Sequence, residues 1–303
     1  MGWAFRYNDI LMHDGPPLRA GVGQGQDVVR NAMKHWTADD IPWDRFDPTR
    51  VDSEILRLVK AAAMVEKNSG DYATYLKNVF PDDDAFAGAV DAWAEEEVQH
   101  GDVLGRWAET ADPRFNFADR FRVFKDGFKI PVDATASVRG SRSGELVARC
   151  VVEVGTSSYY TSLAAATDEP VLKAICQRIA ADEFRHYKLF YTHLKRYLEA
   201  EKPSTFAKLR VAFERIVESD DDELAYAYYA ANGEGEAYDR RRCADAYAMR
   251  AYRYYHPAIV ERGIAMTFKA AGFNPHGRLA RVASSAAWRF MGWRRKRLAQ
   301  LAA

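Results

Sequence analysis

Along most of the chain, apolar and aromatic residues recur at steps of three and four with polar residues between them. No stretch alternates residue by residue as a half-buried strand would. The pattern predicts an all-α protein. Asp52 or Ser53 is a good N-cap for a first long helix that runs past Glu66 to about Phe80. Pro81-Asp82-Asp83-Asp84 then breaks and restarts the chain, and a second helix reaches about Thr110. A connector between Asp112-Pro113 and Ile130-Pro131 leads to a third helix, capped by Ser141 or Ser143. Asp168-Glu169-Pro170 turns into a fourth, which stops before Pro203. Further helices are expected at about 204–219, 222–232, 235–254, 257–271 and 278–299. The expected organisation is an N-terminal extension (1–47), a helical bundle core (48–202) and C-terminal helices packed on it (203–303).

Composition narrows the class. The chain has 303 residues, 48% of them hydrophobic and 28% charged, as in an ordinary globular protein with a substantial core. Its formal net charge is zero, so bulk electrostatics do not point to nucleic acid. Cys150, Cys176 and Cys243 are odd in number and lack CxxC spacing, which fits buried thiols in a reducing compartment. No apolar run approaches the roughly 20 residues of a membrane-spanning helix, and Met1-Gly2-Trp3-Ala4-Phe5-Arg6 lacks the apolar stretch of a secretory signal. A cytoplasmic location is expected. Gly21-Val22-Gly23-Gln24-Gly25 is not a phosphate-binding loop, since no strand precedes it.

The chemistry lies in a repeated motif. Glu97-Val98-Gln99-His100 and Glu183-Phe184-Arg185-His186 both read Glu-x-x-His, and a further glutamate precedes each, Glu66 by 31 residues and Glu153 by 30. Residues three apart on a helix lie about 60° apart around its axis, so one face presents a carboxylate and an imidazole together. A single such pair is usually a surface contact. Two pairs, each on a long predicted helix with a matching upstream glutamate, form the ligand pattern of a ferritin-like di-iron or di-manganese bundle. Buried acids need a cation, and this oxygen-rich donor set suits iron or manganese. The duplicated halves would surround the metals about a pseudo-twofold axis. Ser69, Gly70, Gly101, Gly155, Thr156 and Ser157 lie one turn from the ligands. They would either leave space beside the metals or permit close helix packing. Trp93, Tyr160, Tyr187 and Phe190 are read as core fillers.

Whole segments resemble the soluble acyl-acyl carrier protein desaturases. Residues 93–108, WAEEEVQHGDVLGRWA, are similar to that family's second ligand helix, and 174–186, AICQRIAADEFRH, to its fourth. Residues 35–43, HWTADDIPW, resemble its entry segment. The resemblance implies two iron ions, with a manganese–iron pair as the alternative, bound by Glu66, Glu97, His100, Glu153, Glu183 and His186. It implies that Thr156 assists oxygen activation or proton delivery. It also implies that Asp182 links His100 to Trp36 as an electron-entry route. Lys67, Val154 and Gly155 depart from the plant members.

The expected function is therefore O2-dependent introduction of a cis double bond into an acyl chain, carried on acyl carrier protein or another thioester. A ferredoxin-like donor supplies the electrons, and the family analogy implies a homodimer. The alternatives are a di-iron monooxygenase or N-oxygenase with the same site, and a ferritin-like iron-storage or oxidant-scavenging protein. The C-terminal segment from Arg278 onward carries Arg281, Arg289, Arg294, Arg295, Lys296 and Arg297 with no acid, interleaved with Leu279, Val282, Trp288, Phe290 and Trp293. It is expected either to dock an acidic carrier or an anionic membrane face, or to pack on the bundle with solvated arginines.

Overall fold

A computed structural model describes residues 35–217, 222–233 and 235–301. The glycine-rich turn at Gly21–Gly25, and with it most of the expected N-terminal extension, lies outside the described residues. The chain divides into an N-terminal unit, residues 1–36, and a compact unit, residues 37–303. The described residues form helices and no strands, an all-α ferritin-like bundle.

The helices are α1 (Ser53–Lys67), α2 (Ser69–Val79), α3 (Asp84–Ala111), α4 (Phe117–Gly127), α5 (Arg142–Ala166) and α6 (Pro170–Glu201). They continue with α7 (Thr205–Val217), α8 (Asp222–Asn232), α9 (Arg240–Ala251), α10 (Pro257–Ala270) and α11 (Arg278–Leu301). Capping places the ligand helices. The Asp52 carboxylate accepts the N–H groups of Glu54 and Ile55, and the Ser141 hydroxyl accepts that of Gly144. Glu169 precedes Pro170 at the start of α6 and is fully buried. Its carboxylate accepts from Val171 N, Leu172 N, the Trp107 indole and Asp47 N, so its charge is well partnered.

α1 pairs with α3, α5 pairs most extensively with α6, and α3 meets α6 across the bundle. Every residue of α5 from Ser143 to Val151 is buried, as expected of a helix enclosed on all sides. α7 and α10 cover α5, while α8 covers α1. At one end of the bundle Phe80, Phe86, Trp93 and Phe190 interlock, with centroid separations of 4.5 Å for Phe80–Phe86 and 5.5 Å for Trp93–Phe190. All three cysteines are buried and unpaired.

Three elements differ from the expected pattern. The first long helix is two helices, because Asn68 leaves helical geometry (φ −85°, ψ 1°) and its N–H bonds back to Val65 in a tight turn. The connector after α3 contains α4, capped by Asn116 and stiffened by ring contacts along Phe117, Phe121, Phe124 and Phe128. The helix expected from 235 begins instead at Arg240. Gly235 takes a left-handed φ of 70°, and Asp239 supplies the cap. At the C-terminus, α11 packs on α9 and α10 through Ala280 and Leu298, and Arg294 lies 3.8 Å from Asp245. Leu279, Val282, Phe290 and Trp293 remain exposed. No described helix is long and apolar enough to cross a membrane.

Gly101 lets α3 run tightly against α1: a Cβ there would sit 2.6 Å from the Lys67 backbone nitrogen. Gly101→Ala is expected to destabilise the fold by about 1–3 kcal/mol. Gly88→Ala, mid-helix with nothing within 4 Å of a new Cβ, should stabilise it by about 0.5–1 kcal/mol. Urea unfolding followed by circular dichroism measures both.

Candidate metal centre

The four central helices bring the six motif residues together. α1 supplies Glu66, α3 supplies Glu97 and His100, α5 supplies Glu153, and α6 supplies Glu183 and His186; all six are buried. They form two sets of potential donors, Glu66–Glu97–His100–Glu183 and Glu97–Glu153–Glu183–His186, each with donor atoms within 4.8 Å of one another. Glu97 and Glu183 belong to both sets. His100 Nδ1 lies 3.8 Å from Glu66, 3.6 Å from Glu97 and 3.4 Å from Glu183. His186 Nδ1 lies 2.9 Å from Glu97, 3.7 Å from Glu153 and 3.8 Å from Glu183. The two rings are 5.9 Å apart.

The far nitrogens of the rings are held by carboxylates from the opposite half. His100 Nε2 is 3.0 Å from Asp182 on α6, and His186 Nε2 is 3.0 Å from Glu96 on α3. A carboxylate there keeps the proton on Nε2 and leaves Nδ1 to face the donor set. Arg185 bonds to both outer carboxylates, Asp182 and Glu96, and ties the crossed pairs into one network. Thr156 donates to Glu183 Oε2 at 2.7 Å, and Tyr160 donates to Glu66.

Four buried carboxylates in one place cannot all carry charge unaided. Burial, then the neighbouring charge of Glu97, pushes Glu66 well above the ordinary carboxylate range. Glu153 is likewise raised by burial, with the charges of Glu183 and Glu97 adding to it. Burial alone would also raise Glu97 and Glu183, but Glu66 at Glu97 and the two nearby imidazoles at both hold them below the ordinary range. Burial disfavours the imidazolium of His100 and of His186. Their carboxylate neighbours outweigh it and raise both. Both Glu153 oxygens and Glu183 Oε1 make no hydrogen bond although buried. Unsatisfied buried oxygens are costly, and divalent cations at these positions satisfy them. The donor set therefore suits metal ions.

The sequence-predicted residues are distributed as follows. The six proposed ligands converge, and Thr156 and Asp182 contact them. Trp36 falls in the N-terminal unit. The small residues near the ligands serve packing or face outward. Gly101 abuts Lys67, Ser69 bonds to Ala94 O, Ser157 bonds to Ala180 O, and Gly70 and Gly155 are exposed. Tyr160 fills the core as expected but also touches a proposed ligand. Glu96, Arg185 and the cross-bonding they create were not anticipated. A signal was present: both motifs extend to acid-Glu-x-x-His, as Glu96-Glu97-x-x-His100 and Asp182-Glu183-x-x-His186.

Such a centre inside an all-α bundle defines a ferritin-like protein suited to bind metal. Residues 64–219 match the family model of the fatty acid desaturases, which covers about half the chain and all six motif residues, and the chain belongs to that family. No curated protein matches the chain.

Glu96→Ala is expected to weaken iron binding about ten- to hundredfold by freeing the His186 ring, while Glu95→Ala on the exposed side of the same helix leaves it unchanged. Competition against a chromogenic chelator measures the difference. Because a metal competes with protons for these raised groups, iron uptake should release protons and tighten as pH rises. A pH-indicator dye reads the release directly.

Proposed function

We propose that the chain is an O2-dependent di-iron oxidoreductase that introduces a cis double bond into an acyl chain, presented as a thioester of acyl carrier protein. The carrying observation is the pair of four-residue donor sets that share Glu97 and Glu183. Membership of the fatty acid desaturase family supports the substrate class. Glu66, Glu97, His100 and Glu183 would hold one ion, and Glu97, Glu153, Glu183 and His186 the other; the ions are two irons, or a manganese–iron pair. When bound, they supply the activation of O2 needed to remove hydrogen from unactivated C–H bonds.

The net reaction takes one CH2–CH2 unit, O2, two electrons and two protons to a CH=CH unit and two waters. The protein's own groups have separate tasks. Asp182 and Glu96 fix the tautomer and orientation of the imidazoles. Arg185 offsets the charge of those outer carboxylates. The Thr156 hydroxyl would hand protons from solvent to Glu183, a role supported by its partial exposure and its bond to that carboxylate. Electrons from a ferredoxin-like donor would enter through Trp36, Asp182 and His100; the 3.0 Å contact between Asp182 and His100 supports the inner end of that route. An acidic carrier would dock on α11, whose exposed Phe290 and Trp293 lie among arginines with no acid. A cytoplasmic homodimer belongs to the same proposal by family analogy.

Incubation with O2, reduced ferredoxin and an acyl-acyl carrier protein, followed by mass spectrometry, is expected to yield a product lacking two hydrogens. Addition of oxygen would instead identify a monooxygenase. Iron loading far beyond two ions per chain without product would identify a storage protein. Deleting residues 288–303 should weaken carrier binding with fold and iron content intact; unchanged binding would remove α11 from the docking surface.

A further inference from the structure

A second concentration of buried charge lies one helical turn from the metal centre. Arg149 precedes Glu153 by four residues on α5, so the two side chains lie on the same helix face. It is 6% exposed and lines a cleft of about 140 Å3. Its guanidinium lies over the Tyr72 ring at 4.8 Å, and its Nε makes no hydrogen bond. Glu145 Oε1, at 3.8 Å from that nitrogen, is too distant to accept from it.

The nearby carboxylates are engaged elsewhere. Glu145 Oε2 accepts from Tyr75 at 2.8 Å and Ser137 at 2.7 Å, and Glu223 Oε2 accepts from Tyr72 at 2.7 Å. The cleft lining adds Lys129, Arg139 and Arg215 to Arg149, with Glu145 as the acid among them. The remaining walls are apolar or aromatic, including Phe128, Ile130 and Val138. An orphaned, buried guanidinium nitrogen on a residue that lines the cleft selects an anion. The apolar walls select one with a carbon body. Guanidinium geometry matches a carboxylate in particular. A cavity near 150 Å3 accommodates a benzene-sized group, so there is room for a carboxylate and a few carbons.

We propose that this cleft is a binding subsite for the carboxylate end of a short organic acid, with Arg149 as its anchoring cation. A ligand held there lies about one helical turn from Glu153. If the oxidase function above is correct, that acid sits beside the reacting acyl chain as a second ligand, since the chain's own carboxyl is held in the thioester. That last step rests on the proposed function; the binding itself does not.

The test titrates the full chain by calorimetry with hexanoate and with its neutral counterpart hexanamide, in both iron-loaded and chelator-treated protein. Hexanoate should bind about tenfold or more tightly than hexanamide in both forms, as a charge-assisted contact provides. Arg149→Gln should abolish the preference with the melting transition retained. Val138→Trp, at a cleft position 63% exposed, should weaken both ligands without disturbing the fold. Equal binding of the two ligands would overturn the proposal, and so would a preference that survives Arg149→Gln. A preference seen only with iron present would assign the carboxylate to the metals and equally overturn it. Should Arg149→Gln fail to fold, Val138→Trp decides: unchanged hexanoate affinity rejects the cleft. Iron content, read separately, shows whether a failure lies here or with the metal centre.

Discussion

Four glutamates buried within a few ångströms of one another are the constraint around which this bundle is organised. Mutual repulsion and lost hydration would each raise their pKa values, and an apolar core could not hold them ionised. The protein supplies part of the compensation itself, through two imidazoles and the Thr156 and Tyr160 hydroxyls. The remainder is visible as deficit: Glu153 has no hydrogen-bond partner on either oxygen, and Glu66 and Glu153 are driven toward their neutral forms. Cations of total charge near the number of carboxylates resolve both effects at once. Buried ion sites of this kind seldom add stability over an apolar core, so their presence argues for chemistry.

The two halves of the centre are interlocked. Each Glu-x-x-His helix supplies an imidazole to one donor set and an outer carboxylate to the imidazole of the other, and Arg185 spans both crossings. Displacing α3 relative to α6 would therefore loosen both sets together. The packing of α1 on α3 and of α5 on α6 resists such displacement, with Gly101 permitting close backbone approach on one side and the enclosed face of α5 on the other. Carrying functional groups on long packed helices keeps their positions precise.

The donor set was legible in the sequence because helical periodicity converts a spacing of three into a shared face, and a duplicated spacing is hard to produce by chance. Glu96 was signalled only by the repeated acid before each Glu-x-x-His, which does not say what it touches. It stands within Glu95-Glu96-Glu97, and only the rotation of α3 against α6 decides which of these acids reaches His186. Asp182 and its link to His100 were found through family resemblance. Helix existence followed from apolar periodicity, which outweighed the weak helix formers Asn68-Ser69-Gly70 where the chain in fact breaks. α4 was readable in hindsight from phenylalanines at helical steps from 117 to 128. Arg149 gave no signal in the sequence, since sequence alone does not show that the helix is enclosed from Ser143 to Val151.

The central claim is that Glu97 and Glu183 are shared by two metal ions. Anomalous X-ray diffraction at the iron edge, on crystals grown with ferrous iron, addresses it most directly. The account predicts two peaks, one bounded by Glu66, His100 and the shared glutamates and the other by Glu153, His186 and the same pair. A single peak touching neither shared carboxylate, or iron confined to the protein surface, would contradict it.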